Sequence, residues 1–483
     1  MQPHKAGAQI GRKAFLQSLL ILLTLMLAAG ILTRVVPAGA FERTVEEGRT
    51  VIVPDSFRPI QRPAYPPWRW LTAPFEVVAG PDGLVVIVII LFLILIGGAF
   101  AVLDRCGLLQ AALARIVRAL GGRKYALLGA LALFFMALGA FFGIVEEVVP
   151  LVPLVVGLCY ALGWDSLTGL AITFGATNLG FAAAVTNPFT IGVAQRIAGL
   201  PLFSGAGLRL AIFAALYAAF ALLLLRYARR IEHEPARSPV YAEDQPARAR
   251  YATLETGGLA HDDPRLDRAL ALLAAGFVLI LAVLLGGPFV PALSELSLPL
   301  VGVLFFLTGI GAGLVAGGGR VLPRALGEGI AGIAPAVPLI LMAASVKHII
   351  MQGGVMDTLL HTASLAVAGS SPLVAALGVF GVALLLDFFI GSGSAKAFLL
   401  MPILTPLADL VGLTRQTTVL AYCFGEGLTN LIYPTNAVLL VALGLTVVGY
   451  PKWLRWIAGL WPWAVLLALA GLALAVGVGF GPF

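Results

Sequence analysis

The chain has 483 residues, of which 60% are hydrophobic and 11% are charged. This composition excludes an ordinary soluble domain and indicates an integral membrane protein. The net charge of +7 does not indicate nucleic-acid binding, because most arginines flank or separate apolar segments, where they orient a chain in the membrane. The three cysteines lack metal-ligand spacing and are interpreted as packing residues.

The first apolar segment, residues 14–32, is longer than a signal-peptide core and is predicted to be an uncleaved membrane helix. A proline-rich polar stretch at 34–82 is predicted to be a periplasmic loop. Further apolar segments lie at about 83–103, 125–142, 167–199, 206–225, 268–287, 298–318, 328–350, 373–390, 416–446 and 456–480. These lengths predict an all-α polytopic membrane protein with about 10–12 transmembrane segments, since a bilayer core requires roughly 20 residues per crossing.

An arginine-rich hydrophilic stretch, residues 226–267, divides the chain. It is predicted to be a flexible cytoplasmic linker. The N-terminal membrane repeat would then span 1–225, including the first helix and the periplasmic loop, and the C-terminal membrane repeat would span 268–483.

The two halves follow the same order of elements. In each, an apolar helix meets a short polar break containing glycine, then an apolar run too short to cross, then a helix interrupted by Thr-Asn. This order predicts two inverted repeats, each with a re-entrant helical hairpin and a broken transmembrane helix. Paired interrupted helices are the sequence feature that best indicates a transporter binding site near the middle of the membrane.

Every asparagine in the chain follows a threonine within an apolar segment, in the pairs Thr177-Asn178, Thr186-Asn187, Thr429-Asn430 and Thr435-Asn436. Amide groups surrounded by hydrocarbon are costly unless their hydrogen-bonding groups are used. The pairs are predicted to coordinate a ligand or Na⁺, with Glu426 adding a carboxylate. The alternative is hydrogen bonding between helices.

Glu146 and Glu147 are adjacent in an apolar context, which predicts a place on an ion or substrate pathway. The alternative is that they neutralise a group within the protein, such as Lys396. They could bind a proton, Na⁺ or a substrate amine.

In the second half, Ser392 and Ser394 alternate with glycines. Such a loop can present backbone amides to an anion, or can be a tight turn with serine caps. Lys396 is predicted either to meet a substrate carboxylate or to extend to the membrane interface.

Several other polar or aromatic residues lie at the ends of apolar segments. Lys347, His348 and Asp387 are predicted to be interface anchors more often than ligands. The tryptophans between 453 and 463 are predicted to form an aromatic belt.

No Walker or HExxH motif occurs in the sequence, and neither an enzyme nor a bound cofactor is expected. A membrane-embedded enzyme is an alternative that would have to use the adjacent glutamates or the scattered His261, His348 and His361. Transport would use Na⁺ or H⁺ as coupling ion, or exchange. An ion channel is an alternative of another class, but no repeated filter-like sequence supports it.

Long motifs run through nearly the whole chain, including GGAFAVLDRCG at 97–107, FGIVEE at 142–147, AQRIAGLPLFSGAGLR at 194–209, SGSAKAFLLMPILTPLADLVGLTRQTTVLA at 392–421 and IYPTNA at 432–437. Through these motifs the chain resembles the YfcC-type branch of the C4-dicarboxylate anaerobic carrier-like family, within the ion transporter superfamily. Lys396 stands where we expect glutamine in that branch.

The resemblance implies a secondary transporter of the bacterial cytoplasmic membrane that binds a small-molecule substrate, and by analogy a homodimer. It implies that the substrate site lies near Glu146, Glu147, Asn187, Ser392, Ser394 and Asn436. The predicted substrate is a small carboxylate-bearing metabolite, either a C4-dicarboxylate or an amino acid. The alternative is antiport of basic amino acids.

Overall fold

The computed structural model describes residues 12–46, 49–120, 122–252, 264–286, 290–365, 367 and 369–481. Helices dominate the described part of the chain. Those of the first half are α1 Arg12–Val35, α2 Arg69–Ala79, α3 Gly83–Arg105, α4 Leu108–Leu120, α5 Lys124–Ala137, α6 Val152–Ala161, α7 Ser166–Leu170, α8 Ala176–Ala183, α9 Val193–Ile197 and α10 Ala206–His233.

Helix α11, Tyr241–Ala252, lies between the two halves. The helices of the second half are α12 Pro264–Gly286, α13 Pro291–Val315, α14 Leu322–Ile333, α15 Ala336–Gln352, α16 Met356–Leu365, α17 Pro372–Asp387, α18 Gly393–Leu410, α19 Arg415–Thr429, α20 Ala437–Gly444, α21 Tyr450–Ile457 and α22 Trp461–Gly477.

Short elements of other kinds complete the described fold. Two antiparallel pairs lie in the predicted periplasmic loop, with β1 Gly39–Ala40 beside β4 Arg58–Pro59 and β2 Arg43–Glu46 beside β3 Arg49–Ile52. The 3₁₀ turns are Glu146–Leu151, Pro235–Arg237 and Gly318–Arg320. The π-helical turns are Leu138–Phe142, Ala171–Gly175 and Pro188–Gly192. All three π turns adjoin the interrupted helices of the first half, and π turns often mark functional sites.

The prediction of an all-α membrane protein is confirmed. Among the described residues, 8 helices are long and apolar enough to cross a membrane, or up to 9 if the bent pair α21 and α22 is one span. One candidate span, Ser166–Ile197, contains an apolar stretch of 18 residues that is entirely buried within the protein. The inverted relation of the two halves stays a prediction.

The helices pack in two groups. In the scaffold helices, α3 packs on α13 and α14, α12 packs on α13, and α15 packs on α1 and α2. In the core helices, α8 packs on α5, α10 and α19, while α19 also packs on α17, α18 and α22. Both groups therefore draw on both halves of the sequence, and the halves are not packed as separate bodies.

The region predicted to be a flexible linker is ordered over 226–252, so that expectation is wrong for these residues. Helix α10 continues to His233, and α11 packs on α6. Asp244 is fully buried and accepts hydrogen bonds from Tyr160 Oη at 2.7 Å and from the Ser166 amide at 3.0 Å. Arg248 donates to the carbonyl of Trp164 at 2.9 Å. Residues 253–263 lie outside the described part.

The docked linker predicts a pH dependence. Desolvation by burial raises the pKa of Asp244 from 3.8 to about 6, although hydrogen bonds from Ser166 and Tyr160 oppose the shift. The folded state then binds a proton that the unfolded chain releases, so the contribution of Asp244 to stability falls as pH rises from about 4 to about 6. We expect the free energy of unfolding to fall by about 2–3 kcal/mol over this range. The measurement is the thermal stability of the wild type as a function of pH, and the fall is expected to be smaller in Asp244→Asn. Asp267→Asn is the control, since its carboxylate is half exposed. Equal pH profiles in all three proteins would contradict the prediction.

Candidate functional site

The first hairpin turns where α5 and its π turn end. Gly143 has a left-handed backbone, with φ of +71°, and a Cβ there would lie 2.3 Å from Asn187 Oδ1. The site thus requires glycine for both conformation and space. Thr186 Oγ1 donates to the carbonyl of Phe141 at 3.0 Å. The first helix break is therefore bonded directly to the hairpin turn.

Asn187 and Asn436 have the same structural role in the two halves. Asn187 Oδ1 accepts hydrogen bonds from the amides of Phe189, at 2.9 Å, and Thr190, at 3.3 Å. Asn436 Oδ1 accepts from the amides of Val438, at 2.9 Å, and Leu439, at 3.4 Å. Each asparagine therefore caps the half-helix that follows its break.

The second hairpin turns between α17 and α18. Ser392 caps α18, since its Oγ accepts from the Ala395 amide at 3.4 Å. Asn430 joins the two sides of the second break, because its Oδ1 accepts from Asn436 Nδ2 at 3.0 Å. The Ser-Gly turn thus begins a helix of 18 residues, whose first amides face outward from its N-terminus.

Two tryptophans support the second break. Trp453 Nε1 donates to the carbonyl of Leu431 at 2.8 Å, and Trp461 Nε1 donates to the carbonyl of Leu428 at 2.9 Å. Trp453 is fully buried. The aromatic-belt prediction is therefore wrong for these two side chains, which bind backbone groups that the helix interruption leaves free. Trp463, in contrast, is exposed.

A cavity of about 380 Å³ lies between the core and scaffold helices. The scaffold helices contribute a mainly aliphatic wall of Val85, Val86, Ile89, Ser297, Ile340 and Ala344. The predicted site residues on the opposite wall are Glu146, Glu147, Ser392, Ser394, Glu426, Asn430, Thr435 and Asn436. Side chains from both hairpins and from the second break therefore line one cavity.

The charge of this cavity has one sign. Its lining includes the carboxyl groups of Glu146, Glu147 and Glu426, and none of its described lining residues is lysine, arginine or histidine. Glu147 Oε1 accepts a hydrogen bond from Ser297 Oγ at 2.8 Å. The electrostatic field of such a wall attracts cationic groups.

The other predicted residues lie behind the wall. Thr177 and Asn178 donate within their own helix, to the carbonyls of Thr173 and Phe174, both at 2.9 Å. The remaining residues of this set are Thr186, Asn187, Lys396 and Thr429. Coordination of a ligand or Na⁺ by the Thr-Asn pairs, and binding of a substrate carboxylate by Lys396, stay predictions.

Lys396 belongs to a buried charge cluster with Asp387 and Glu426. Its ammonium pairs closely with Asp387 Oδ1 and lies 3.7 Å from Glu426 Oε1. Thr429 Oγ1 donates to Asp387 Oδ2 at 2.5 Å. Asp387 is only 3% exposed, so its prediction as an interface anchor is wrong. A lysine nine residues after an aspartate that ends an apolar run is the sequence signal that could have indicated the pair.

Lys347 and His348, also predicted to be interface anchors, pair with acidic residues outside the buried charge cluster. Lys347 Nζ donates to Asp82 Oδ1 at 2.9 Å, and His348 Nε2 lies 3.4 Å from Glu76 Oε2. Both partners belong to the region of 34–82 predicted to be periplasmic. These two side chains therefore fasten the end of α15 to that region.

Arg209 is a functional candidate that the sequence did not single out. It is fully buried in α10. Its guanidinium donates to the carbonyls of Val185 at 3.1 Å, Phe203 at 3.1 Å and Ser204 at 2.7 Å. Because Val185 immediately precedes Thr186-Asn187, a permanent cation stabilises the first helix break.

Comparison with known proteins identifies the family. The family model described as "C4-dicarboxylate anaerobic carrier" matches residues 15–478. The chain belongs to this family. As a C4-dicarboxylate anaerobic carrier family member with at least 8 apolar membrane-length helices in its described part, it is a multi-pass transporter of the bacterial inner membrane.

Two relatives cover most of the carrier. The "Putative basic amino acid antiporter YfcC" of Escherichia coli (strain K12) is 31% identical over 478 residues, covering 92% of this chain and 93% of the relative. An uncharacterised protein of Haemophilus influenzae (strain Rd) is 28% identical over 374 residues, covering 76% of this chain and 71% of the relative. The first of these agrees with the YfcC-type branch indicated by the sequence motifs.

Two solved transporters resemble the carrier only distantly. MtrF of Neisseria gonorrhoeae, from a class of antimetabolite efflux pumps, gives a TM-score of 0.43 at 18% identity, covering 99% of this chain and 96% of MtrF. YdaH of Alcanivorax borkumensis gives a TM-score of 0.41 at 18% identity, covering 97% and 100% respectively. These similarities are too weak to carry an argument.

Proposed function

We propose that this carrier is a secondary transporter that exchanges basic amino acids. The observation that supports the proposal is the charge of the cavity, whose wall carries Glu146, Glu147 and Glu426 without a described basic residue. Three carboxyl groups in one partly apolar cavity favour a substrate with amino or guanidinium groups. They oppose a dicarboxylate, whose two negative charges would meet charges of the same sign.

The substrate carboxylate is assigned to the second hairpin. Ser392, Gly393 and Ser394 lie on the wall at the N-terminus of α18. Helix N-termini carry free amides and a partial positive charge, and both stabilise anions. An amino acid would thus place its carboxylate at the Ser-Gly turn and its cationic groups at the glutamates. The YfcC relative is named for a substrate of this class.

Counterflow in proteoliposomes tests this assignment. Vesicles loaded with unlabelled arginine or ornithine are expected to accumulate labelled arginine, while vesicles loaded with succinate are not. Labelled succinate is expected to show no counterflow against succinate. Succinate counterflow without arginine counterflow would overturn the basic amino acid assignment, and saturating counterflow of either solute would exclude the channel alternative.

Glu146→Gln is predicted to weaken arginine transport. The change removes one carboxylate from the wall but keeps the size of the side chain. Loss of one charge pair to a bound cation costs about 2 kcal/mol or more, so we expect the apparent affinity for arginine to fall by at least about 30-fold. Initial counterflow rates against arginine concentration give the measurement. Glu232→Gln is the matched control. The Glu232 carboxylate lies 2.5 Å from the Lys124 ammonium and does not line the cavity. Equal affinities in both variants would remove Glu146 from substrate binding.

A further inference from the structure

The two helix breaks contain fixed cations supplied by the protein itself. At the first break, Arg209 donates to the carbonyl of Val185 at 3.1 Å. Beside the second break, the buried Lys396 of the second hairpin pairs with Asp387, which accepts a hydrogen bond from Thr429. Na⁺ sites in proteins are built from backbone carbonyl and carboxylate oxygens, often at interrupted helices. Here such oxygens are already engaged by a guanidinium and an ammonium.

Glu426 is the member of the buried charge cluster whose carboxyl oxygens have no hydrogen-bond partner among the described residues. Its side chain is 1% exposed, and neither of its carboxyl oxygens accepts a hydrogen bond within the described structure. Its nearest cation, Lys396, is 3.7 Å away and makes its close contact with Asp387. Glu426 also lines the cavity, whereas Lys396 and Asp387 do not. A buried carboxyl group without a described hydrogen-bond partner therefore lies between the Lys396–Asp387 pair and the substrate space.

The surroundings of Glu426 add no second positive charge. The charged groups that act on it electrostatically are Lys396 from α18, Asp387 from α17 and Glu146 from the first hairpin. Tyr422 and Cys423 lie on its own helix, one turn away, and Arg209 acts on Cys423. The other helices packed on α19 are α8, α9 and α22. Helices α8 and α22 contain no charged residue, and Arg196 of α9 is exposed at the surface.

The charge balance of the cluster favours a proton on the carboxyl group of Glu426. Lys396 and Asp387 neutralise each other, which leaves the carboxyl of Glu426 as an additional negative charge facing Glu146. An ionised, unpaired carboxylate in a buried site is costly, and binding one proton removes that cost without needing the several oxygen ligands of a metal ion. A substrate ammonium or guanidinium entering the cavity would replace this proton.

We propose that Glu426 is the proton-binding site of the transporter, and that Lys396 and Arg209 occupy the positions at which Na⁺ would otherwise be held. The proton comes from water through the cavity, binds one Glu426 oxygen in the empty transporter, and returns to water when a cationic substrate binds. H⁺ is therefore the inorganic cation that occupies this site between exchange events. This inference rests on the proposed exchange of basic amino acids for its physiological meaning, but proton binding itself needs no substrate.

Infrared difference spectroscopy of the full-length reconstituted protein tests the proposal without any substrate. On lowering the pH, a carboxylic C=O band of buried acids is expected to appear in the wild type and to be weaker in Glu426→Gln. Replacing choline with Na⁺ at constant pH is expected to leave the band unchanged. Glu232→Gln should retain it. A band of undiminished intensity in Glu426→Gln, or one that Na⁺ removes, would overturn the proposal.

A second measurement uses the wild type alone, in case Glu426→Gln does not fold. Dicyclohexylcarbodiimide reacts with protonated carboxyl groups in apolar surroundings. Mass spectrometry is expected to locate an adduct on Glu426 whose yield falls as pH rises and is not lowered by Na⁺. An unmodified Glu426, or protection by Na⁺, would contradict the assignment. Arginine counterflow is measured in parallel, so that loss of the substrate assignment and loss of the proton site remain distinguishable.

Discussion

Lys396→Met is expected to destabilise the protein by about 3–5 kcal/mol, because it leaves a buried carboxylate without its counter-charge. Lys396 is fully buried, and its partner Asp387 is 3% exposed. Methionine preserves most of the side-chain volume, so the expected loss is electrostatic. The measurement is the thermal unfolding temperature of the detergent-solubilised protein, obtained from the folded fraction that size-exclusion chromatography recovers after heating.

Two further variants separate charge from packing. Lys347→Met removes a partly exposed lysine whose ammonium lies 2.8 Å from Asp82, and its cost is expected to stay below about 1 kcal/mol. Lys396→Met combined with Asp387→Asn is expected to recover much of the lost stability, since the unpaired carboxylate is also removed. If the double variant were no more stable than Lys396→Met, the loss would be one of packing.

Gly180→Ala is expected to destabilise the protein by about 3 kcal/mol or to prevent its folding. A Cβ at Gly180 would lie 1.8 Å from the carbonyl oxygen of Met136, which is backbone and cannot rotate away. Helices α5 and α8 would have to separate, and overpacking of this kind costs about 1–3 kcal/mol or more. The yield of monodisperse protein and its thermal unfolding temperature provide the measurement.

Gly381→Ala is the matched control for this substitution. Gly381 also lies inside a helix, α17, but a Cβ there would meet nothing within 4 Å. Replacing a helical glycine with alanine stabilises by up to about 1 kcal/mol. We therefore expect Gly381→Ala to be neutral or stabilising. Equal losses in the two variants would show that helix propensity, and not the contact with Met136, decides the outcome.

The sequence was sufficient to predict the class of fold and much of the cavity wall. Hydrophobic length alone requires helices in a membrane. The unusual residues within apolar segments, Glu146, Glu147 and Glu426, did line one cavity, because polar groups in such segments must find one another or water. The hairpin serines joined them there, since each hairpin turn faces the same space.

Other features depend on three-dimensional packing that residue patterns do not reveal. Asp387 ends its helix as an interface anchor would, and only the close approach of α18 shows that it pairs with Lys396. Trp453 fits an aromatic belt in sequence, yet folding returns its helix onto the second break. The linker is polar and arginine-rich, but burial of Asp244 against Tyr160 anchors its described part up to residue 252. In each case a distant partner decides the role.

The two walls of the cavity differ in the kind of contact they can make. On the scaffold side, Val85, Val86, Ile89, Ile340 and Ala344 offer only aliphatic surface. Dispersion contacts with such a surface have no preferred direction and re-form after each small step. The hydrogen bond from Ser297 to Glu147 crosses this boundary. Core helices that moved along this face would keep undirected contacts with the aliphatic residues, whereas the hydrogen bond from Ser297 to Glu147 would have to break.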